Sequence, residues 1–388
     1  MKKAALFGLL LLAVTFLSAQ EFRHTTGVIN VEVPVRVFDG AKFVDSLTLG
    51  DFDVTEDGVP QKVVAVYLIK RADILRKEEV QAQAPVTRRS FYLFLEVYER
   101  LPKLEEALGY FVRNVLLPGD DLVLVTSTRT YPMKKETRAK LSRDQVIEQL
   151  RGFAGRDTQI GNMEYNQTLR DLRQAAARIS SSSEDDMGLA LEEYRVLRLK
   201  LESLRSVDEK KFLGLAKYLK SVEGQKYVFF FYQREVVPVV DKNWLTNRLT
   251  SLDMADQMTL TDLMSFDRRK PLVNSDEVRK AYSDSSIAVH FLYLTGRAEG
   301  GVQPRTDEEH SEDIFPILFE LAKSTGGVAE STANPAFAMK KASDASENYY
   351  LLYYAPANTK LDGKFREIKI SIKGKGYTVS HRSGYFAD

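Results

Sequence analysis

The chain has 388 residues, 44% hydrophobic and 10% aromatic, which is enough apolar side chain to bury a core and excludes a mainly disordered state. Its 55 basic and 54 acidic residues nearly cancel, so the strong positive field of a general nucleic-acid binder is missing. With no cysteine and only four histidines, disulfide scaffolds, iron–sulfur clusters, thiolate zinc sites and cysteine nucleophiles are excluded, and histidine-rich metal chemistry is poorly supplied.

Met1-Lys2-Lys3, an apolar run from Ala4 to Leu17 and the small pair Ser18-Ala19 have the layout of a signal peptide over 1–19, cleaved near Ala19. The run is shorter than the ~20 apolar residues that a membrane-spanning helix needs. No cysteine follows it for a lipid anchor. The expectation is a secreted or periplasmic protein, with no membrane insertion after cleavage.

Residues 27–70 predict a small β unit. Val31, Val33, Val35 and Val37 alternate, as in a half-buried strand. Pro34 cannot donate to a ladder, so an edge or bulge is expected there. Asp39-Gly40 and Glu56-Asp57-Gly58-Val59-Pro60 are turn signals, and Val63 to Ile69 is a second β-rich run. The polar stretch 71–89 reads as a linker.

From Ser90 to Val97 the chain is continuously apolar apart from Glu96, which suits a strand buried on both faces. Leu104, Ala107, Leu108, Phe111, Val112, Val115 and Leu116 then form one helical stripe. Pro118-Gly119-Asp120 stops it, and Asp121 to Ser127 predicts another buried strand. Residues 142–222 read as a charged helical insert. The expectation there is a solvated helical pair, with Ser180 to Ser183 as the connecting turn. Strands are predicted at Gln225–Tyr232 and Ser286–Leu294, with helix from Lys242 to Asp267 between them and a polar loop over 295–310 after them. A helix from Asp313 to Lys323 ends at the glycine cap Gly326-Gly327. Strands alternating with helices over 90–345 predict a doubly wound α/β domain. Residues 346–388 return to β, through Tyr349–Tyr354, Phe365–Ile372 and Tyr377–Arg382. Each terminal β piece is too small to stand alone. They are expected to pair as a small β-sandwich, with the α/β domain inserted between them.

Hydrolytic motifs are missing. No Gly-x-Ser-x-Gly elbow and no Gly-x-x-x-x-Gly-Lys loop occur. His290 lies in an apolar strand and reads as a satisfied core histidine. His24 and His310 fall in loops, and His381 in a terminal strand. Glu184-Asp185-Asp186 lacks the spaced ligands of a calcium loop and reads as the start of a helix. Tyr349, Tyr350, Tyr353 and Tyr354 read as core.

Four stretches, taken in order, carry a resemblance. They are Val31-Glu32-Val33 through Leu49-Gly50-Asp51-Phe52-Asp53-Val54 to Gln61-Lys62, Leu117-Pro118-Gly119-Asp120-Asp121-Leu122-Val123-Leu124-Val125, Leu321-Ala322-Lys323-Ser324-Thr325-Gly326-Gly327, and Tyr350-Leu351-Leu352-Tyr353-Tyr354-Ala355-Pro356 with Asp362-Gly363-Lys364-Phe365-Arg366 and the terminal Arg382-Ser383-Gly384-Tyr385-Phe386. The chain resembles the bacterial secreted proteins with a von Willebrand factor A-like domain. The insert at 142–222 has no counterpart in that pattern. The resemblance implies a Rossmann-like, mostly parallel sheet with helices on both faces, serving as a binding platform. It also implies a metal-ion-dependent adhesion site after the first strand, where an Asp-x-Ser-x-Ser motif holds a hard cation. This sequence has Glu96-Val97-Tyr98-Glu99-Arg100 there, and Tyr232-Gln233-Arg234-Glu235 where a further aspartate is expected. Two motif positions are lost and two arginines added, so the metal site reads as degenerate and no metal or cofactor is expected.

The function expected is therefore a non-enzymatic protein–protein interaction module of the cell envelope. The contact residues at the carboxyl ends of the strands would be Glu96, Tyr98, Glu99, Arg100, Gln233 and Arg234. One alternative is a metal-dependent adhesion module that binds an acidic partner through Glu96. Another is an envelope enzyme using a carboxylate pair, Glu96 with Glu99 or Glu235.

Overall fold

The computed structural model describes residues 30–388, except 41, 84, 182–183, 205–208, 241, 249–252, 267–273, 285–286, 296–304, 310–314 and 375. The expected signal peptide, His24, His310, Ser182 and Ser183 lie outside the described residues. Among the described residues no helix is long and apolar enough to cross a membrane.

In chain order the first strands are β1 (Val31–Asp39), β2 (Lys42–Phe43), β3 (Phe52–Glu56), β4 (Val59–Lys70) and β5 (Asp73–Glu79). Next come β6 (Arg89–Glu96), α1 (Pro102–Tyr110), β7 (Asp121–Thr126), β8 (Thr130–Met133) and α2 (Lys135–Arg138). The helices α3 (Arg143–Gly161), α4 (Met163–Ser181), α5 (Glu184–Ser203) and α6 (Glu209–Lys220) follow. Then the chain forms β9 (Gln225–Gln233), β10 (Val236–Val240), α7 (Lys242–Arg248), α8 (Met254–Phe266), α9 (Ser275–Asp284), β11 (Ile287–Leu294) and β12 (Arg305–Glu309). It ends with α10 (Phe315–Ser324), β13 (Ala329–Thr332), α11 (Pro335–Glu347), β14 (Asn348–Ala355), β15 (Phe365–Ile372), β16 (Thr378–His381) and β17 (Gly384–Phe386).

The expected plain Rossmann-like parallel sheet beside a small β-sandwich does not form. The chain is mixed α/β, 43% helix and 34% strand, with one mixed sheet and one curled antiparallel half-barrel. The six-stranded sheet runs β13-β11-β9-β6-β7-β8; its pairs are parallel except β7–β8. The reason is local. Only Ser127, Thr128 and Arg129 join β7 to β8, and so short a loop permits an antiparallel return but no crossover. The terminal β pieces share one nine-stranded antiparallel sheet, ordered β16-β1-β14-β4-β3-β15-β17, with β2 on β1 and β5 on β4. Strand β4 prevents a separation into two layers. Its first residues pair with β3 and the rest with β14, whose register shifts between Tyr353 and Tyr354. A bulge of this kind adds local twist, and the sheet curls instead of splitting. The stretch 71–89, read as a linker, contains β5, whose charged DILRKEE sequence hides a strand paired to β4.

Pro34 lies where β1 is flanked by β14 alone, because pairing to β16 begins at Val35. Arg36 is buried against the α/β lobe and donates to the Gly326 carbonyl at 3.3 Å.

Both faces of the mixed sheet are covered. Phe91, Leu93 and Leu95 face Leu104 and Leu108 of α1, Val146 and Leu150 of α3 and Met339 of α11. Val228, Phe230 and Phe291 face Leu219 of α6, Val278 of α9 and Leu321 of α10. Helix α3 starts at a capping box. Ser142 Oγ accepts from Gln145 N–H at 3.2 Å, and Gln145 Oε1 accepts from Ser142 N–H at 2.8 Å.

The insert is not the solvated pair that its charge suggests. Its outer helices, α3 and α6, belong to the two sheet faces. The inner pair, α4 and α5, builds a separate core from Leu172, Ile179, Met187 and Leu191, with Val237 and Val240 of β10 and Leu260 of α8. Burying each such side chain contributes about 1.5–3 kcal/mol. This cap stands over the carboxyl ends of the parallel strands.

His290 is buried on β11, stacked on Phe229 with ring centroids 4.6 Å apart. Its Nδ1 accepts from Val328 N–H at 3.2 Å. Ser346 Oγ donates to the Ala342 carbonyl at 2.7 Å, so His290 Nε2–H donates to Ser346 Oγ at 2.9 Å. Burial pushes this imidazole down to about 3, and the charge of Arg36 acts in the same direction. The folded value lies below the unfolded one, so the stability from neutral His290 is complete above pH ~6.5 and is lost as pH falls from there toward 3. Urea unfolding at pH 7.5 and 4.5 checks this. The wild type is expected to lose about 2–3 kcal/mol more than His290→Asn over that interval. Equal losses in the two proteins would refute the assignment.

Candidate functional site

The connection leaving β6 packs α1 on one face of the sheet, while the segment after β9 returns through α9 on the other. The two strands are neighbours, so a crevice opens between their carboxyl ends, the usual ligand position in an open α/β sheet. It contains a cavity of about 630 Å³, within the range of small-ligand sites. Phe94, Phe212, Leu215, Phe230 and Leu318 make its apolar wall. Asn162, between α3 and α4, and Glu164 and Tyr165 at the start of α4 roof it.

The structure brings together five of the six residues expected at the contact. Gln233 is buried at the end of β9, and its Oε1 accepts from the N–H groups of Tyr98 at 3.2 Å and Glu99 at 3.4 Å. Its Nε2 donates to Glu99 Oε1 at 2.6 Å. The Tyr98 hydroxyl donates to the Arg234 carbonyl at 2.8 Å. Arg234 pairs with Glu309 at 2.7 Å, donates to Ser331 Oγ at 2.5 Å and lies over the Tyr293 ring. These contacts lock the loop after β6 to β9 and β13. Arg100 stands apart. It points outward, 75% exposed, and pairs with Glu105 at 2.8 Å.

Glu96 alone of the six carries a carboxylate directed into the cavity without a hydrogen-bond or ion-pair partner among the described residues. The residue lines the cavity and stays open to solvent. Loss of bulk solvent pushes it up to about 7, and the charge of Lys211 on α6 acts against that shift.

Sequence reasoning missed the cap's contribution. Asn162, between α3 and α4, donates to the carbonyl of Val97 at 2.9 Å. Asn166 donates to the carbonyl of Tyr98 at 2.9 Å. Gly161 lets the end of α3 pass close to the loop between β7 and β8, since a Cβ there would come within 2.3 Å of Ser127 Oγ. The one signal in the sequence is the Gly161-Asn162 pair, a helix stop inside a stretch read as a simple helical pair. Glu235 also lines the cavity, with its oxygens held by the Tyr165 hydroxyl at 2.9 Å and the Tyr232 hydroxyl at 2.6 Å. A cation centre would need further oxygen ligands beside Glu96, and among the described residues no three acidic or histidine side chains come together. The arrangement can enclose a small group or a protruding side chain, and offers it an aromatic wall and one carboxyl whose charge is easily changed. No family model, no curated protein and no solved structure matches the chain.

Proposed function

We propose that the protein is a non-enzymatic binding module of the cell envelope, related to the von Willebrand factor A-like secreted proteins, whose partner inserts a group into the cavity at the carboxyl ends of β6 and β9. The envelope location rests on the signal-like residues 1–19, and the family relation on the four stretches named above. The observation that carries the reading is the roofed cavity itself, about 630 Å³ at the point where the strand connections diverge. Leu215→Trp on α6 is expected to fill it. Capture of partners from envelope extract should fall at least about tenfold for this variant, with its melting temperature kept within a few degrees of wild type. Arg100→Ala, on the exposed rim, should change capture by less than about threefold. Equal recovery by wild type and Leu215→Trp would overturn the reading.

One observation favours a second reading. Glu96 and Glu235 line the same cavity in different surroundings, one without a bonded partner and one held by two phenols. Carboxylates in unlike environments can divide acid and base roles. That reading requires an activity lost in both Glu96→Gln and Glu235→Gln.

A further inference from the structure

Three phenylalanines lie beside the Glu96 carboxylate. The rings of Phe94 and Phe230 are 4.7 Å apart, and those of Phe212 and Phe230 are 6.0 Å apart. They form a continuous wall facing the same cavity as Glu96. Ring faces attract cations, and the attraction strengthens where water is scarce. Among the described residues that line the cavity, Glu96, Glu164 and Glu235 are acidic and Lys211 carries the one ammonium. Glu164 is tied outward to Lys200 at 3.1 Å, and Glu235 accepts from two tyrosines. Glu96 is therefore the acceptor still open to a ligand.

We propose that this cavity takes an organic cation, an ammonium group on an apolar stem, with Glu96 as its acceptor and Phe94, Phe212 and Phe230 as the wall for its stem and charge. This rests on the reading of the cavity as the binding site. The cation could come from a free amine or from a lysine side chain of a partner protein, because both present the same group. An entering ammonium favours the ionised carboxylate, so binding releases a proton wherever Glu96 is protonated beforehand. Among the described residues, the titratable groups that share the cavity with Glu96 are Tyr98 from the loop after β6, Lys211 from α6, Glu164 and Tyr165 from α4, and Tyr232 and Glu235 from β9 and the turn after it. Lys211 opposes the ligand's charge, and Glu235 supports it.

Calorimetric titration of the mature protein tests this with pentylammonium, pentanol and pentanoate, and with a short peptide carrying one lysine. Pentylammonium is expected to bind more tightly than pentanol, and pentanoate not at all. Its affinity should rise about tenfold from pH 6 to pH 8. Glu96→Gln should weaken it about 10- to 100-fold and remove the pH dependence, while leaving pentanol unchanged. Phe94→Leu should weaken the cation more than the alcohol, and it serves equally should Glu96→Gln fail to fold. Comparable binding of the peptide and pentylammonium indicates a free amine as the source. Peptide binding tenfold or more above pentylammonium indicates a protein side chain. Pentanoate or pentanol binding in preference to pentylammonium would overturn the cation assignment and leave the cavity reading standing. No binding by any of these probes, with Leu215→Trp equal to wild type in partner capture, would overturn both.

Discussion

Gly327→Ala is expected to destabilise the protein by about 3 kcal/mol or more, measured by urea unfolding. A Cβ at this position would lie 1.8 Å from the carbonyl oxygen of Val289 and 2.6 Å from its carbon. Both are backbone atoms of β11, so no side chain can swing away. The chain passes so close because Gly326, at φ +72°, ends α10 in the left-handed region. Gly327 N–H then closes back on the Ala322 carbonyl at 2.8 Å. From there the chain runs directly into β13, which pairs with β11 and supplies Ser331 to Arg234. Moving this segment outward would loosen the rim of the candidate site as well as the sheet edge. Gly152→Ala is the control. That glycine lies inside α3 with no atom within 4 Å of its Cβ position, and alanine there should stabilise by about 0.5–1 kcal/mol. Equal effects at the two positions would refute the steric account.

Asp120→Ala should cost about 3–5 kcal/mol, because it strands a buried guanidinium. Arg89 and Asp120 are 2% and 4% exposed at their side chains and pair at 2.6 Å. Arg89 Nε donates to Asp120 Oδ1 at 2.9 Å, and Nη2 also donates to the Val115 carbonyl at 2.9 Å. Asp120 Oδ2 further accepts from Leu117 N–H at 2.6 Å. The pair joins the first residue of β6 to the turn before β7, at the end of the sheet opposite the cavity. Replacing both partners, as in Arg89→Met with Asp120→Leu, removes the uncompensated charge and should recover much of the loss. A double variant as unstable as Asp120→Ala would show that packing, not charge, dominates there.

The apolar pattern from Ser90 to Val97 marks the strand that forms at Arg89–Glu96, and the stripe from Leu104 marks α1. Around the candidate site, Glu96, Tyr98 and Gln233 were legible because they follow apolar strands directly. Their division of labour was not. A glutamine that locks a loop and one that greets a partner have the same letter, and only the 2.6 Å bond from Gln233 to Glu99 distinguishes them. The roof of the cavity was hidden for a related reason. The insert carries charge on its outer faces, while Leu172, Met187 and Leu191 meet β10 and α8, which lie far along the chain.

By itself the sequence determined which segments alternate, which bury both faces, where helices stop, and that neither cysteine nor histidine-rich chemistry is present. Those properties are local, set by side-chain period and by backbone limits at glycine and proline. The tertiary structure alone decided that β8 turns back antiparallel, that β4 curls the terminal strands into one half-barrel, and that the insert closes a cavity over Glu96. Strand partners and desolvation depend on contacts between residues distant in the chain, and a one-dimensional pattern specifies a buried face without naming what buries it.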